Sequence, residues 1–163
     1  MLMFLYVLLM VVTTIYLVSS AKMDIRERQV YTLPCFFLTL SWGLYILNME
    51  VFIWQELVLY WLLIHVVWRL FNHFKVWGEG DSDVFLLLSN IVLATLWQNN
   101  WIVILIGVCI CLISSLAMAI LISIFEFEEK ELSIGLDSKV AVVPGFAVVM
   151  IFLMIIGFVG RLV

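Results

Sequence analysis

Asp24 and Asp81 are carboxylates at the edges of long apolar runs, in a chain of 163 residues with few charges. An acid at bilayer depth costs about 2.5–3.5 kcal/mol on insertion scales, so such a residue is a functional candidate by default. If the two acids face each other, their chemistry is definite. Like charges a few ångströms apart cannot both ionise, so the pair shares one proton near neutral pH. The ionised partner then takes a proton from water, while the protonated partner polarises a carbonyl and later helps protonate a leaving amine. That is peptide hydrolysis, with apparent pKa values that belong to the pair. Each acid also has a purely structural role open to it. An Asp at a helix start is often an N-cap or a dipole partner, which is the plain reading of Asp81. An Asp in a loop among arginines is usually solvated, which is the plain reading of Asp24.

Other reactive residue types point to less. His65, Arg69 and His73 recur every four positions and share a helix face. The two histidines would lie about 12 Å apart along the axis, too far for one ion, so no metal site is expected. His65 is expected to bond inside the bundle, and Arg69 either to pair with an acid near the site or to snorkel to the interface. Cys35, Cys109 and Cys111 form no CxxC pair and read as small core residues. Glu126, Glu128, Glu129, Glu131 and Asp137 form an acidic inner loop, with Gly135 as a turn. That loop is either simply solvated or a docking surface for a basic peptide. Trp54, Trp61 and Trp68 recur every seven positions, a stripe for packing or lipid anchoring.

The elements that must position these groups follow from composition. The chain is 66% hydrophobic and 12% charged, with a net charge of -4 and a mean hydropathy of +1.24. A soluble domain is about 45–50% apolar and about 25% charged, so a soluble fold and disorder are both excluded. Binding to nucleic acid is excluded too, since a polyanion needs a basic surface. Six apolar runs are legible: Leu2–Ala21, Leu33–Leu47, Phe52–Phe71, Asp81–Trp97, Trp101–Phe125 and Val140–Val159. The second is short for a bilayer, which favours a start near Val30. The first lacks a preceding cation and is too long for a signal peptide, so it reads as a retained helix. Alternating the six runs across a membrane puts seven of the eight Lys and Arg residues on one side, with Arg161 alone on the other. The positive-inside rule makes the crowded side cytoplasmic. The expectation is one all-α, polytopic membrane domain over residues 1–163, with about six transmembrane helices. Asp24 and Asp81 would then sit at its cytoplasmic face.

Three segments carry a family resemblance. Asp81 ends Gly78-Glu79-Gly80-Asp81, which matches the GxGD motif of intramembrane aspartyl proteases. The two glycines permit a tight turn and close approach to a substrate strand. Asp24-Ile25-Arg26-Glu27-Arg28 looks like the D-x-R-x-R segment after the first helix of type IV prepilin peptidases. Lys139-Val140-Ala141-Val142-Val143-Pro144 resembles the K-I-P-F-x-P that leads into that family's last helix. The segments occur in family order and, with their helices, cover most of the chain. The resemblance implies a presenilin-like GxGD bundle with Asp24 and Asp81 catalytic. It implies Gly78, Gly80, Arg26, Arg28, Asp83, Lys139 and Pro144 in support. It further implies an aspartic endopeptidase, without metal or cofactor, that removes the basic leader of prepilin-like proteins after a glycine. The absence of a CxxC pair implies the short, peptidase-only form without methyltransferase activity.

The departures from the family pattern are specific. Tyr31-Thr32 stand where the family has Pro-Asn, and the proline comes at Pro34. Asp83 replaces the Lys of GxGDxK, and Ala141 replaces the first proline of K-I-P-F-x-P. Asp83 is expected either to raise the pKa of Asp81, to attract a cationic substrate, or to mark an inactive member. Pro34 and Pro144 are expected to loosen the inner ends of helices 2 and 6 by removing helix hydrogen bonds. Two other functions fit the same composition. One is a small transporter or a secretion or pilus assembly subunit, although a transporter would place polar groups nearer the midplane. The other is a GxGD protease with a preflagellin or signal-peptide substrate.

Overall fold

The computed structural model describes residues 2–27, 29–49, 53–74, 78–96, 101–129 and 141–162. The described residues form six α-helices: α1 (Leu2–Glu27), α2 (Thr32–Leu47), α3 (Trp54–His73), α4 (Glu79–Leu96), α5 (Trp101–Glu129) and α6 (Val143–Val159). Their order follows the six apolar runs, but their ends do not. α1 continues past Ala21 through Lys22, Met23, Arg26 and Glu27, all good helix formers. Asp24 therefore lies inside a helix and not in a loop. α5 likewise runs on through Glu126, Glu128 and Glu129, so this part of the expected acidic loop is helical. α2 begins at Thr32 rather than near Val30. α6 begins at Val143, immediately before Pro144, because proline fits a first turn where its missing N–H is not needed.

α4 is the centre of the bundle. It packs against α2, α3, α5 and α6, while α1 packs against α2 and α6. Residues Leu87 to Thr95 are all buried, so α4 presents no face to the surroundings along that stretch. Polar side chains there are met by partners from the flanking helices. The Asn90 side chain accepts from Trp61 Nε1–H (3.1 Å) and donates to the Thr39 carbonyl (2.9 Å), tying α3, α4 and α2 together. The Tyr60 hydroxyl donates to the Ser89 carbonyl (2.9 Å). Trp61 thus belongs to the packing between helices, while Trp54 is exposed.

The other helices show a reversed surface. Phe4, Val11 and Ile15 of α1, Phe36 and Phe37 of α2, Leu59 and Leu62 of α3, Ile106 and Ile113 of α5, and Phe152 and Ile155 of α6 all point outward and are exposed. A soluble monomer rarely exposes contiguous apolar patches larger than a few hundred Å². Serine and threonine in these helices bond back to their own backbone, as in Thr14 to Met10 O and Ser41 to Phe37 O, both 2.8 Å. Such local bonding satisfies hydroxyls without water. Two helical segments, Leu2–Glu27 and Trp101–Phe125, are long and apolar enough to cross a membrane; α2 and α6 are apolar but shorter. Cys35 is buried as expected, whereas Cys109 lies on an outward face.

At the end away from the aspartates, Arg161 closes the bundle. Its guanidinium lies 4.1 Å from the centroid of the Tyr6 ring. It donates to the Ala94 carbonyl (2.6 Å) and the Gly157 carbonyl (2.7 Å). The Tyr6 hydroxyl donates to Met154 O (2.9 Å). One cation at the C-terminal ends of α4 and α6 also complements both helix dipoles.

Candidate active site

Asp24 lies in the last two turns of α1 and is 5% exposed. Its Oδ2 accepts the Val143 N–H at 3.1 Å. Val143 opens α6, whose N-cap residue Val142 supplies no side-chain cap. The carboxylate of α1 therefore does for α6 what Val142 cannot. It satisfies one of the free N–H groups of the first turn and meets the positive end of the helix dipole. Pro144, buried, is the second residue of α6 and lies next to this contact. Pro34 is the third residue of α2. Neither proline removes a hydrogen bond, because first-turn N–H groups have no helical acceptor. The expected loosening of α2 and α6 by these prolines is thus not found; each helps begin its helix.

Asp81 lies in the first turn of α4, ahead of the apolar stretch that begins at Val84. Its Oδ2 accepts the Gly78 N–H at 3.2 Å, and Ser82 N–H donates to Gly78 O at 3.2 Å. A carboxylate at the third helical position reaching back to the cap residue is half of a capping box. The other oxygen, Oδ1, is buried and has no hydrogen-bond partner among the described residues. Burial, then the charge of Asp24, raise the Asp81 pKa from 3.8 to about 6; the Gly78 N–H opposes them. The acid of α1 thus lies within the electrostatic field of the acid of α4. Among the described residues the backbones of α1 and α4 do not approach each other closely; α1 packs on α2 and α6.

The GxGD glycines have different surroundings. A Cβ on Gly80 would lie 2.9 Å from Val30 Cβ, in the α1–α2 connection. Gly80 is helical, so its value here is close approach rather than a tight turn. A Cβ on Gly78 would lie 3.2 Å from Asp81 Oδ2. Gly80 thus lets the Asp81 end of α4 lie against the α1–α2 connection, whereas Gly78 leaves room for the Asp81 carboxylate itself.

Asp83 bonds toward α3. Its Oδ1 accepts Trp68 Nε1–H at 3.2 Å, and its field reaches Tyr16 of α1 and Cys35 of α2. It does not figure among the causes of the raised Asp81 pKa. The physical reason is direction: two residues along a helix turn a side chain by about 200°. Arg26 is exposed on the last turn of α1, where a cation suits the C-terminal dipole. Arg28, Lys139, Glu131, Gly135 and Asp137 lie outside the described residues. His65 stacks on Trp68 with ring centroids 4.9 Å apart, on the exposed side of α3.

Sequence reasoning did not find the Val143 N–H or the Trp68 indole. The first is a backbone group, which no side-chain motif marks. The second carried a signal in the seven-residue tryptophan spacing, read as packing or lipid anchoring. Comparison of the chain with family profiles, with curated proteins and with solved structures finds no match.

Proposed function

We propose that the protein is a membrane-embedded aspartic endopeptidase. Its substrates are prepilin-like proteins, cut after a glycine to release a basic leader. The observation that supports this reading is a buried Asp24 on α1 within electrostatic reach of Asp81 on α4, whose Oδ1 is buried and unbonded among the described residues. An acid pair in which one member keeps its proton near neutrality is the minimum an aspartic protease needs.

The roles divide by environment. Asp24, held by the Val143 N–H, is the ionised partner and takes a proton from the attacking water. Asp81, with Oδ1 buried and unbonded, carries the shared proton and donates to the scissile carbonyl oxygen. The water oxygen bonds to the carbonyl carbon, giving a tetrahedral diol. When the C–N bond breaks, the proton taken by Asp24 passes to the leaving nitrogen. The diol then returns a proton to Asp81 as the new carboxyl group forms. An extended peptide would have to reach both carboxylates at this end of the bundle.

The bundle is proposed to lie in the cytoplasmic membrane with its six helices crossing it and the Asp24–Asp81 end standing at the cytoplasmic surface, outside the hydrocarbon. Support comes from the exposed apolar faces of α1, α2, α3, α5 and α6 and from the one-sided distribution of cations. α4 is less apolar than a lipid-exposed helix because its neighbours, not lipid, surround it.

A second reading rests on the same hydrogen bonds. Asp24 caps α6 and Asp81 caps α4, so the acids would serve only to join helices in a non-enzymatic assembly subunit. Asparagine separates the two. It keeps an acceptor for each N–H and loses the proton chemistry. Co-expression with candidate prepilins, read by a mobility shift, should show cleavage lost in Asp24→Asn and in Asp81→Asn, with both variants still folded. Continued cleavage in either variant would refute the peptidase reading.

A further inference from the structure

We propose that the inner end of α3 is a binding site for a phospholipid whose headgroup carries both a phosphate and a primary ammonium. An open groove of about 500 Å³ lies there, lined by Arg69, Leu70, Asn72 and His73. Neither aspartate lines it, and none of its residues takes part in the proposed chemistry. The inference rests on the bundle being immersed in lipid.

Three observations fix the occupant. The first is charge. The guanidinium of Arg69 is a planar fork suited to phosphate oxygens, and the imidazole of His73, one turn further on, adds an N–H donor. The second is an unmet acceptor. Asn72 Oδ1 is buried and has no hydrogen-bond partner among the described residues. A phosphate has no proton to give it at neutral pH, but an ammonium has three. Asn72 is also in the last turn of α3, where the free carbonyls and the dipole favour a cation. The third is order along the helix. Leu59, Leu62, Val66 and Leu70 are exposed on α3 and offer a track for an acyl chain. Arg69 follows that track, and Asn72 lies about 4.5 Å further toward the helix end. A phosphoethanolamine headgroup has the same sequence: chains, then phosphate, then ammonium. A choline headgroup has no N–H for Asn72, and a glycerol headgroup has no cation for the helix end.

The test is native mass spectrometry of the detergent-purified full chain, offered equal amounts of phosphatidylethanolamine and phosphatidylcholine. The wild type should retain the ethanolamine lipid at least fivefold over the choline lipid. Arg69→Gln should weaken retention of both by about tenfold, the loss expected for a charge-assisted phosphate contact. Asn72→Ala should erase the preference for ethanolamine and leave choline-lipid retention unchanged. Equal retention of the two lipids by the wild type would overturn the assignment, as would variants indistinguishable from it. Competition by glycerophosphoethanolamine, which lacks acyl chains, as effective as that by the whole lipid would also overturn it, showing a site for soluble phosphate esters. Thermal unfolding of each variant confirms that it remains folded. Asp24→Asn should keep the wild-type lipid preference, so failure of the peptidase reading and failure of this one give different results.

Discussion

Replacing Asp24 by Asn should lower the pH at which Asp81 loses its proton. Asp81 is shifted from 3.8 to about 6 by burial first and by Asp24 second, against the Gly78 N–H. Removing the neighbouring charge leaves burial in place, so the midpoint should fall from about 6 toward 3.8 without reaching it. The same displacement has a stability consequence. Below pH 3.8 both folded and unfolded chains are protonated at Asp81, and the group contributes nothing. Between 3.8 and about 6 the folded chain binds more protons, so stability falls as pH rises. Above about 6 the full cost of ionising a buried carboxyl is present. At 1.36 kcal/mol per pH unit the ceiling on that cost is about 3 kcal/mol. Partial solvation of the side chain reduces it to about 1–2 kcal/mol. Asp24→Asn should recover part of that cost at pH 8, set against whatever the weaker Val143 contact loses. The assay is infrared titration of the protonated-carboxyl band in detergent micelles. Subtracting the Asp24→Asn/Asp81→Asn double variant isolates Asp81. An Asp81 midpoint that stays where it was, or rises, would show that the two acids do not sense each other, and the shared-proton mechanism would be lost.

Four further substitutions probe the surrounding structure. Gly80→Ala places a Cβ 2.9 Å from Val30 Cβ and should cost about 1–3 kcal/mol in thermal unfolding, partly restored by adding Val30→Ala; full wild-type stability would refute the close approach. Arg161→Gln removes charged donors from Ala94 O and Gly157 O and the cation over Tyr6; a loss of about 2–3 kcal/mol is expected, with faster hydrogen exchange at the ends of α4 and α6. Asp83→Asn keeps an acceptor for Trp68 and removes a charge, so the Asp81 midpoint should stay near 6; a clear fall would return Asp83 to the proton equilibrium. Asp24→Ala should destabilise more than Asp24→Asn, by about 1 kcal/mol, because only Asn can still accept the Val143 N–H.

The two acids were legible because charge is scarce in this chain and both sit at the borders of apolar runs. Their surroundings were not legible, for reasons that differ from residue to residue. The Asp24 contact is with a backbone N–H of a residue far along the chain. Its existence depends on α1 and α6 packing together, which no local pattern reports. The helix ends were misread because hydropathy marks where apolar surroundings end, not where the backbone stops coiling. Lys22, Arg26 and Glu27 leave the apolar run yet extend α1, and the glutamates after Phe125 do the same for α5. That difference decides the character of Asp24. A carboxylate in a loop can turn to water, whereas one fixed on a helix turn beside the start of α6 cannot, and burial follows.

α4 shows the opposite problem. Its serines and Asn90 weaken the apolar signal, yet it is the most enclosed helix in the bundle. A helix surrounded by other helices can hold polar groups wherever a neighbour supplies the partner, as Trp61, Thr39 and Tyr60 do here. The outer helices have no such partners and must be apolar on the exposed side. Polarity in this chain therefore measures the distance from the bundle centre, inverted from the soluble case. The same logic places Asp81. The acid stands at the first turn of the central helix, where N–H groups are free to meet one oxygen and packing still buries the other. One residue thus serves both the cap and the proposed chemistry. For that reason the spacing of GEGD could not separate a structural aspartate from a reactive one.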